Sequence, residues 1–301
     1  MKRSKSAQFW EKVARRVIIP KGRNMTEVIL AVRKAKGKKR YNLPFLLKIH
    51  DKVDDVISRD MQLFYMNVES ESDELIIYLH GGAYVDEILP LHWLMLDRIT
   101  SGVDSTFIIP DYPLAPHADF RECYQKMTEF YRKVLEYYPD RKIILMGDSA
   151  GGGLAAGLAL YFHELGLRDP DKLILLSPWV DLVMDNPEIK DYIPVDPTLK
   201  YDELCVDARH WANGCDLKDP RLSPIYGDLS VLKDVTVFTG THEFFYPDIM
   251  KFGNLLKENG VRTRIYVGEG LDHVYPVFPI PEAEEAIRTI CRIIKNEEEE
   301  R

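Results

Sequence analysis

Hydrophobic positions change period along the chain, and those changes divide it into elements. Phe9, Trp10, Val13, Val17 and Ile18 recur at a rough helical spacing. Pro20-Lys21-Gly22 breaks that run. Met25, Val28, Ile29 and Val32 then give the apolar face of a second helix, which must end near Gly37. From Val53 the pattern becomes strand, helix, strand, helix. Val56 to Met66 alternates loosely, as one strand with a wet face would. Leu75-Ile76-Ile77-Tyr78-Leu79 is a short unbroken apolar run, the mark of a strand covered on both faces. A helix follows over Leu91 to Ile99, a strand over Thr106 to Ile109, and a long helix from Phe120 to Tyr138, ended by Pro139. Lys142 to Met146 predicts a strand, Ala150 to Leu165 a helix of small residues, and Leu173 to Leu176 another strand. Val235 to Phe238 (strand), 247–259 (helix), Arg262 to Val267 (strand) and Glu282 to Lys295 (helix) complete the series. Strands alternating with helices predict an α/β fold with a mostly parallel sheet and helices on both faces.

Between Val180 and Val231 the alternation stops. The segment holds five prolines and no strong strand, and it is too long for a plain loop. It reads as an insertion covering the C-terminal edge of the sheet, where open α/β sheets bind ligands.

Composition changes this picture little: 301 residues, 46% hydrophobic and 29% charged, is ordinary for a globular chain. Charge changes it more. Residues 1–40 hold 14 Lys/Arg and two acids, whereas the rest holds 26 Lys/Arg against 46 acids. An acidic body argues against nucleic acid as a partner. The basic start reads chiefly as part of a cap whose apolar face packs on that body, with contact to an anionic membrane surface as the second reading. A homodimer stays open. Glu297-Glu298-Glu299-Glu300 reads as a solvated helix end. No apolar run has the length of a membrane span or of a signal sequence. Cys123, Cys205, Cys215 and Cys291 lack metal-ligand spacing and read as reduced thiols of a cytoplasmic protein, a Cys205–Cys215 bridge being the alternative.

Gly147-Asp148-Ser149-Ala150-Gly151 matches G-x-S-x-G between a buried strand and a helix. That is the setting of a nucleophile elbow, whose sharp turn needs tiny flanking residues and lifts the serine to the sheet edge. His80-Gly81-Gly82-Ala83-Tyr84 follows another buried strand. Gly81, Gly82 and Ala83 can bring backbone N–H groups against a developing oxyanion, with Ala150, the residue after the serine, as a further donor. A base and an acid must follow in chain order. Of the eight histidines only His273 lies beyond the final predicted strand, and it is the candidate base. Glu243, just past the strand at 235–238, is the favoured acid. Asp248 is the rival, although in the first turn of a helix its charge has the ordinary task of compensating the helix N-terminus. Asp272, beside the base, would have to fold back on its own neighbour.

These residues resemble the hormone-sensitive-lipase-like esterases, α/β-hydrolases with an HGGG-type loop and a GDSAG elbow. The likeness spans roughly residues 55–295. It includes Asp111-Tyr112-Pro113-Leu114-Ala115-Pro116, Ser177-Pro178-Trp179-Val180-Asp181 and Asp219-Pro220-Arg221-Leu222-Ser223-Pro224. Four positions depart from the family pattern: Ala83 replaces the loop's third glycine, Glu243 the usual aspartate, and Pro113 and His117 an Arg and a Glu. The resemblance implies an α/β-hydrolase fold with a helical cap from residues 1–50 and 183–213 on a catalytic domain of 51–301. It also implies a serine carboxylesterase acting on short acyl chains through an acyl-enzyme, with Gly82 and Ala83 as the loop's donors. No metal or cofactor is required by such chemistry. An amidase or deacetylase would use the same residues, and a non-catalytic binding protein could share the fold.

Overall fold

The computed structural model describes residues 3–44, 47–58 and 60–297. Of the acidic run, Glu298, Glu299 and Glu300 lie outside the described residues.

The sheet has eight strands in the order β1-β2-β4-β3-β5-β6-β7-β8. They are β1 (Val53–Ser58), β2 (Met61–Met66), β3 (Glu74–Leu79), β4 (Thr106–Pro110), β5 (Lys142–Asp148), β6 (Lys172–Leu176), β7 (Asp234–His242) and β8 (Arg262–Asp272). The β1/β2 and β2/β4 pairings are antiparallel, and the other five are parallel. The helices are α1 (Lys5–Val17), α2 (Arg23–Lys36), α3 (Pro90–Thr100), α4 (Phe120–Tyr137), α5 (Ser149–Glu164), α6 (Ile189–Tyr192), α7 (Tyr201–Ala212), α8 (Tyr246–Glu258) and α9 (Pro281–Ile294). Two cores sandwich the sheet. One gathers α4, α5, α7 and α8 with Leu75, Ile77, Leu145 and Val237. The other gathers α3 and α9 with Ile76, Tyr78, Met146 and Phe238. Alternate residues of the same strands serve opposite cores, which is why those strands read as unbroken apolar runs.

One element departs from the sequence reading. The loose alternation over 56–66 is a hairpin, not a single strand: β1 and β2 pair in the register Val53↔Met66 to Ser58↔Met61. β1, at the sheet edge, exposes Val56 and Ile57, whereas β2, flanked on both sides, is nearly all buried. The wet and dry halves belong to two strands.

The chain order reverses around β3, which has β4 on one side and β5 on the other. Connections from β3 and β5 leave the sheet's C-terminal edge beside each other there, at the topological switch point where open α/β sheets bind ligands. The register pairs Leu79↔Gly147 set the His80-Gly81-Gly82 loop directly against the start of the elbow. Two strands away, His242↔Asp272 brings the ends of β7 and β8 together after a register shift at Gly240. The next residues along each chain are Glu243 and His273.

The 180–231 segment forms α6 and α7 and no strand among the described residues. α2 packs on α7. The seating of α1 and α2 differs from expectation. Ala7 and Ala14 of α1, and Thr26 and Leu30 of α2, are buried, while Phe9, Val17, Ile18, Met25, Val28 and Val32 are exposed. Of the expected apolar face of α1, Trp10 does turn inward, onto Phe278, and polar side chains make the rest of the joint. Ser4 binds Glu282 through both its N–H and its hydroxyl. Arg3 reaches Glu11 and Asp272, Arg15 donates to the Val195 carbonyl, and Arg33 pairs with Asp86. The two buried alanines let α1 approach closely. All four cysteines are free thiols. Among the described residues, no helix is long and apolar enough to cross a membrane.

Candidate active site

The elbow is tight for reasons visible atom by atom. Ser149 stands at φ +51° at the start of α5, a left-handed conformation that costs a non-glycine residue about 1–3 kcal/mol. A Cβ on Gly147 would lie 2.4 Å from the Gly151 carbonyl oxygen. One on Gly151 would lie 2.0 Å from the Leu79 carbonyl oxygen. Both glycines are therefore demanded by backbone, not by a movable side chain.

Ser149 Oγ lies 2.8 Å from His273 Nε2. His273 Nδ1 lies 2.5 Å from Glu243 Oε2. Glu243 is fully buried, and its other oxygen, Oε1, accepts from Ser177 Oγ at 2.7 Å, Thr239 Oγ1 at 2.7 Å and Gly240 N–H at 2.8 Å. Three donors on one oxygen fix the carboxylate and aim the other at the imidazole. Ser177 also accepts from Val274 N–H at 3.0 Å, so it links the acid to the loop holding the base. Burial by itself would push the His273 pKa down, but the Glu243 carboxylate beside it, with Asp196 and Asp148, outweighs burial and raises it.

Asp248 lies elsewhere. Its carboxylate accepts from Asn186 in the first turn of α8, and burial raises its pKa to about 6. The structure brings Glu243, and not Asp248, to His273. Asp272 is turned away from its neighbour toward Arg3, and burial raises it to about 7.

The His80-Gly81-Gly82 loop is anchored from two sides. The Tyr112 hydroxyl donates to the His80 carbonyl at 2.6 Å, and the two rings stack at 4.6 Å. Burial pushes His80 down to about 4, so its ring is neutral. The Gly81 N–H donates to Asp148 Oδ1 at 2.8 Å, which corrects the expectation that it serves as an oxyanion donor. What Gly81 supplies is room: a Cβ there would come 2.2 Å from Asp148 Oδ2. Gly82 and Ala83 lie in the left-handed region at φ +125° and +53°. Their N–H groups make no hydrogen bond among the described residues. Ala150, in the first turn of α5, has no intrahelical acceptor either. That leaves Gly82, Ala83 and Ala150 as the free donors beside Ser149, at the positive end of a helix.

Several contributors escaped sequence reasoning. Asp148 is buried within a set of donors formed by Tyr78, Gly81 and His92. Burial would raise its pKa, yet His92, Tyr78 and the Gly81 N–H hold it below the usual range. Asp196, from the insertion, accepts from Phe244 N–H at 3.0 Å, beside Glu243. No spacing marks His92 or Asp196, because each arrives from a distant element. Ser177 was legible only as part of a block, not as a partner of the acid. In the block that holds Pro113, Asp111 pairs with Lys38, 2.9 Å away, just past α2.

A strained serine between strand and helix, an imidazole on its oxygen, a buried carboxylate behind the imidazole and free N–H groups alongside define the serine-hydrolase class of the α/β-hydrolase fold. The family model described as the alpha/beta hydrolase fold matches residues 76–277. LipR of Mycobacterium tuberculosis, which carries its acetyl-hydrolase name provisionally, is 30% identical over 220 residues, 70% of each chain. An esterase of Acinetobacter venetianus is 27% identical, covering 75% of this chain and 76% of its own. A crystal structure of an esterase from the bacterial hormone-sensitive lipase family superposes with a TM-score of 0.84 at 25% identity, over 98% of this chain and 99% of that one. The chain belongs to the hormone-sensitive-lipase-like esterases, and at the level of that family it is a carboxylic ester hydrolase.

Proposed function

We propose that the protein is a serine carboxylesterase for short acyl chains, with Ser149 as nucleophile, His273 as general base and Glu243 as the acid that orients it. The observation that carries this reading is the unbroken series Ser149 Oγ, His273 Nε2, His273 Nδ1, Glu243 Oε2, at 2.8 Å and 2.5 Å. Ser149 attacks the ester carbonyl as His273 takes its proton. Glu243 holds the imidazole with Nδ1 protonated and stabilises the imidazolium. The N–H groups of Gly82, Ala83 and Ala150 receive the oxyanion. His273 then gives the proton to the leaving alcohol, and water repeats the cycle to release the acid.

The short-chain preference is supported by how little of the site is open: Ser149 and His273 are each 8% exposed. Beside them Phe245 sets its ring edge-on to His273 at 5.4 Å and stacks on Trp179, which stacks in turn on Tyr84. A rigid aromatic wall of this kind leaves little room for a long acyl chain.

Replacing Ser149 by Ala removes the attacking oxygen without touching the fold. Turnover of p-nitrophenyl acetate falls on the order of a thousandfold or more, with an unchanged circular dichroism spectrum. Near wild-type turnover in that variant overturns the assignment. Across p-nitrophenyl esters of increasing chain length, kcat/KM peaks at roughly two to six carbons, as acyl-pocket size sets such preferences by about 1–3 kcal/mol per misplaced methylene. A peak at long chains overturns the preference and leaves the nucleophile standing.

A further inference from the structure

Phe9, Val17, Ile18, Ile19, Met25, Val28 and Val32 are between 38% and 72% exposed. They fall within 24 consecutive residues and account for seven of the fifteen large exposed hydrophobics among the described residues. Such crowding differs from the scattered exposure that any soluble protein tolerates. At 100° per residue, Phe9 lies on the side of α1 away from its buried Ala7 and Ala14, and Val17 is exposed at the helix's C-terminal end. Met25, Val28 and Val32 likewise lie on α2 away from its buried Thr26 and Leu30.

The charges sort in the same direction. The acids of these helices are turned inward or held: Glu11 by Arg3 and Arg15, Glu27 by Arg209 and His210. Neighbouring acids on α7 are taken too, Asp202 by Arg23 and Glu203 by the Lys21 N–H. Lys5, Lys12, Arg16, Lys21 and Lys36 are exposed, and their side chains have no partner among the described residues. The outer surface is thus apolar and cationic on a protein whose remaining 261 residues carry a net negative charge.

We propose that the outer face of α1, the 18–22 turn and α2 is a docking surface for an anionic lipid bilayer. Apolar side chains enter the boundary between headgroups and acyl chains while the flanking cations meet lipid phosphates. A second copy of the chain fits this face poorly, because two such faces would set cation against cation. Docking would put the esterase site close to the lipid: Arg3, just before α1, faces Asp272, the residue before His273, and a helix is about 10 Å across.

The test is co-sedimentation of the full chain with vesicles of phosphatidylcholine alone and of phosphatidylcholine mixed with phosphatidylglycerol. The protein pellets with the mixed vesicles and stays in solution with the neutral ones, and added salt releases it. Lys5→Glu/Lys12→Glu and Phe9→Ser/Val17→Ser each weaken binding on the order of tenfold or more, while turnover of a water-soluble ester is unchanged because none of the four residues adjoins Ser149, His273 or Glu243. Three results overturn the proposal: no pelleting with either vesicle, equal binding to both, or variants that bind like the wild type. A fourth does so too. If the full chain is dimeric without vesicles and Phe9→Ser/Val17→Ser makes it monomeric, the face belongs to a second copy.

Discussion

Glu243 carries one methylene more than the aspartate usual at its position, and its surroundings show how the longer arm is used. Oε1 is held by Ser177, Thr239 and the Gly240 N–H, so only Oε2 is left to meet His273. Asp248 is spent on Asn186. Glu243→Gln therefore lowers kcat at least about a hundredfold, by analogy with the loss when a triad acid becomes an amide, whereas Asp248→Asn costs little. An equal or reversed ranking would move the acid role. The His273 pKa is raised mainly through Glu243. Only the neutral imidazole can accept the Ser149 proton, so kcat/KM rises with pH through that raised value. The midpoint of the acid limb lies above the ordinary imidazole pKa of about 6.5 and moves down in Glu243→Gln, which no longer stabilises the imidazolium. A pH–rate profile of both proteins checks the direction.

At the scale of elements, the strand–turn–helix from β5 into α5 is set by what two glycines lack. Alanine at Gly151 would drive a methyl into the Leu79 carbonyl, which β3 cannot move without breaking its pairing with β5. Gly260 also has a positive φ, +75°, but open space around it. In urea denaturation Gly151→Ala loses about 3 kcal/mol or more, the upper range of overpacking, together with activity. Gly260→Ala loses about 1 kcal/mol, the ordinary cost of a left-handed alanine, and keeps its turnover. Comparable losses at the two sites would mean that the elbow relaxes. The oxyanion loop follows a related rule. Ala83 keeps the N–H proposed as an oxyanion donor at a position where the family has glycine, and its φ of +53° is the cost.

Over the whole molecule, the basic first forty residues act as a strap of ion pairs on an acidic body. Lys38 holds the buried Asp111, Arg3 faces the buried Asp272, and Ser4 satisfies Glu282. A chain lacking residues 1–40 leaves all three carboxylates without these partners, at about 1–3 kcal/mol each. Its thermal midpoint falls on the order of 10 °C, given roughly 2–4 °C per kcal/mol for a chain of this size. A midpoint within a degree or two of the full chain would show that the strap contributes nothing. The Arg3–Asp272 and Ser4–Glu282 contacts join residues nearly the whole chain apart, so stability of the site and presence of the N-terminus are linked.

What the sequence determined by itself was everything written in local period or local steric demand. The apolar runs of β3 to β6 announce strands buried on both faces. Gly147, Ser149 and Gly151 announce an elbow, because a turn that tight admits no side chain at the two positions flanking the serine. His80-Gly81-Gly82 announces a close backbone approach. Chain order pointed to His273 as candidate base but left the candidate acid between Glu243 and Asp248, and only the pairing His242↔Asp272 across the sheet shows that Glu243 is the carboxylate beside His273. Tertiary structure also decided what the Gly81 N–H binds, how Asp148 and His92 meet, and where the 56–66 run folds back on itself. Most of all it decided which way α1 and α2 face. Amphipathic period locates an apolar stripe but not its direction. That depends on the receiving surface, and here Ala7, Ala14, Trp10 and Leu30 went inward while Phe9, Val17, Met25, Val28 and Val32 remained outside.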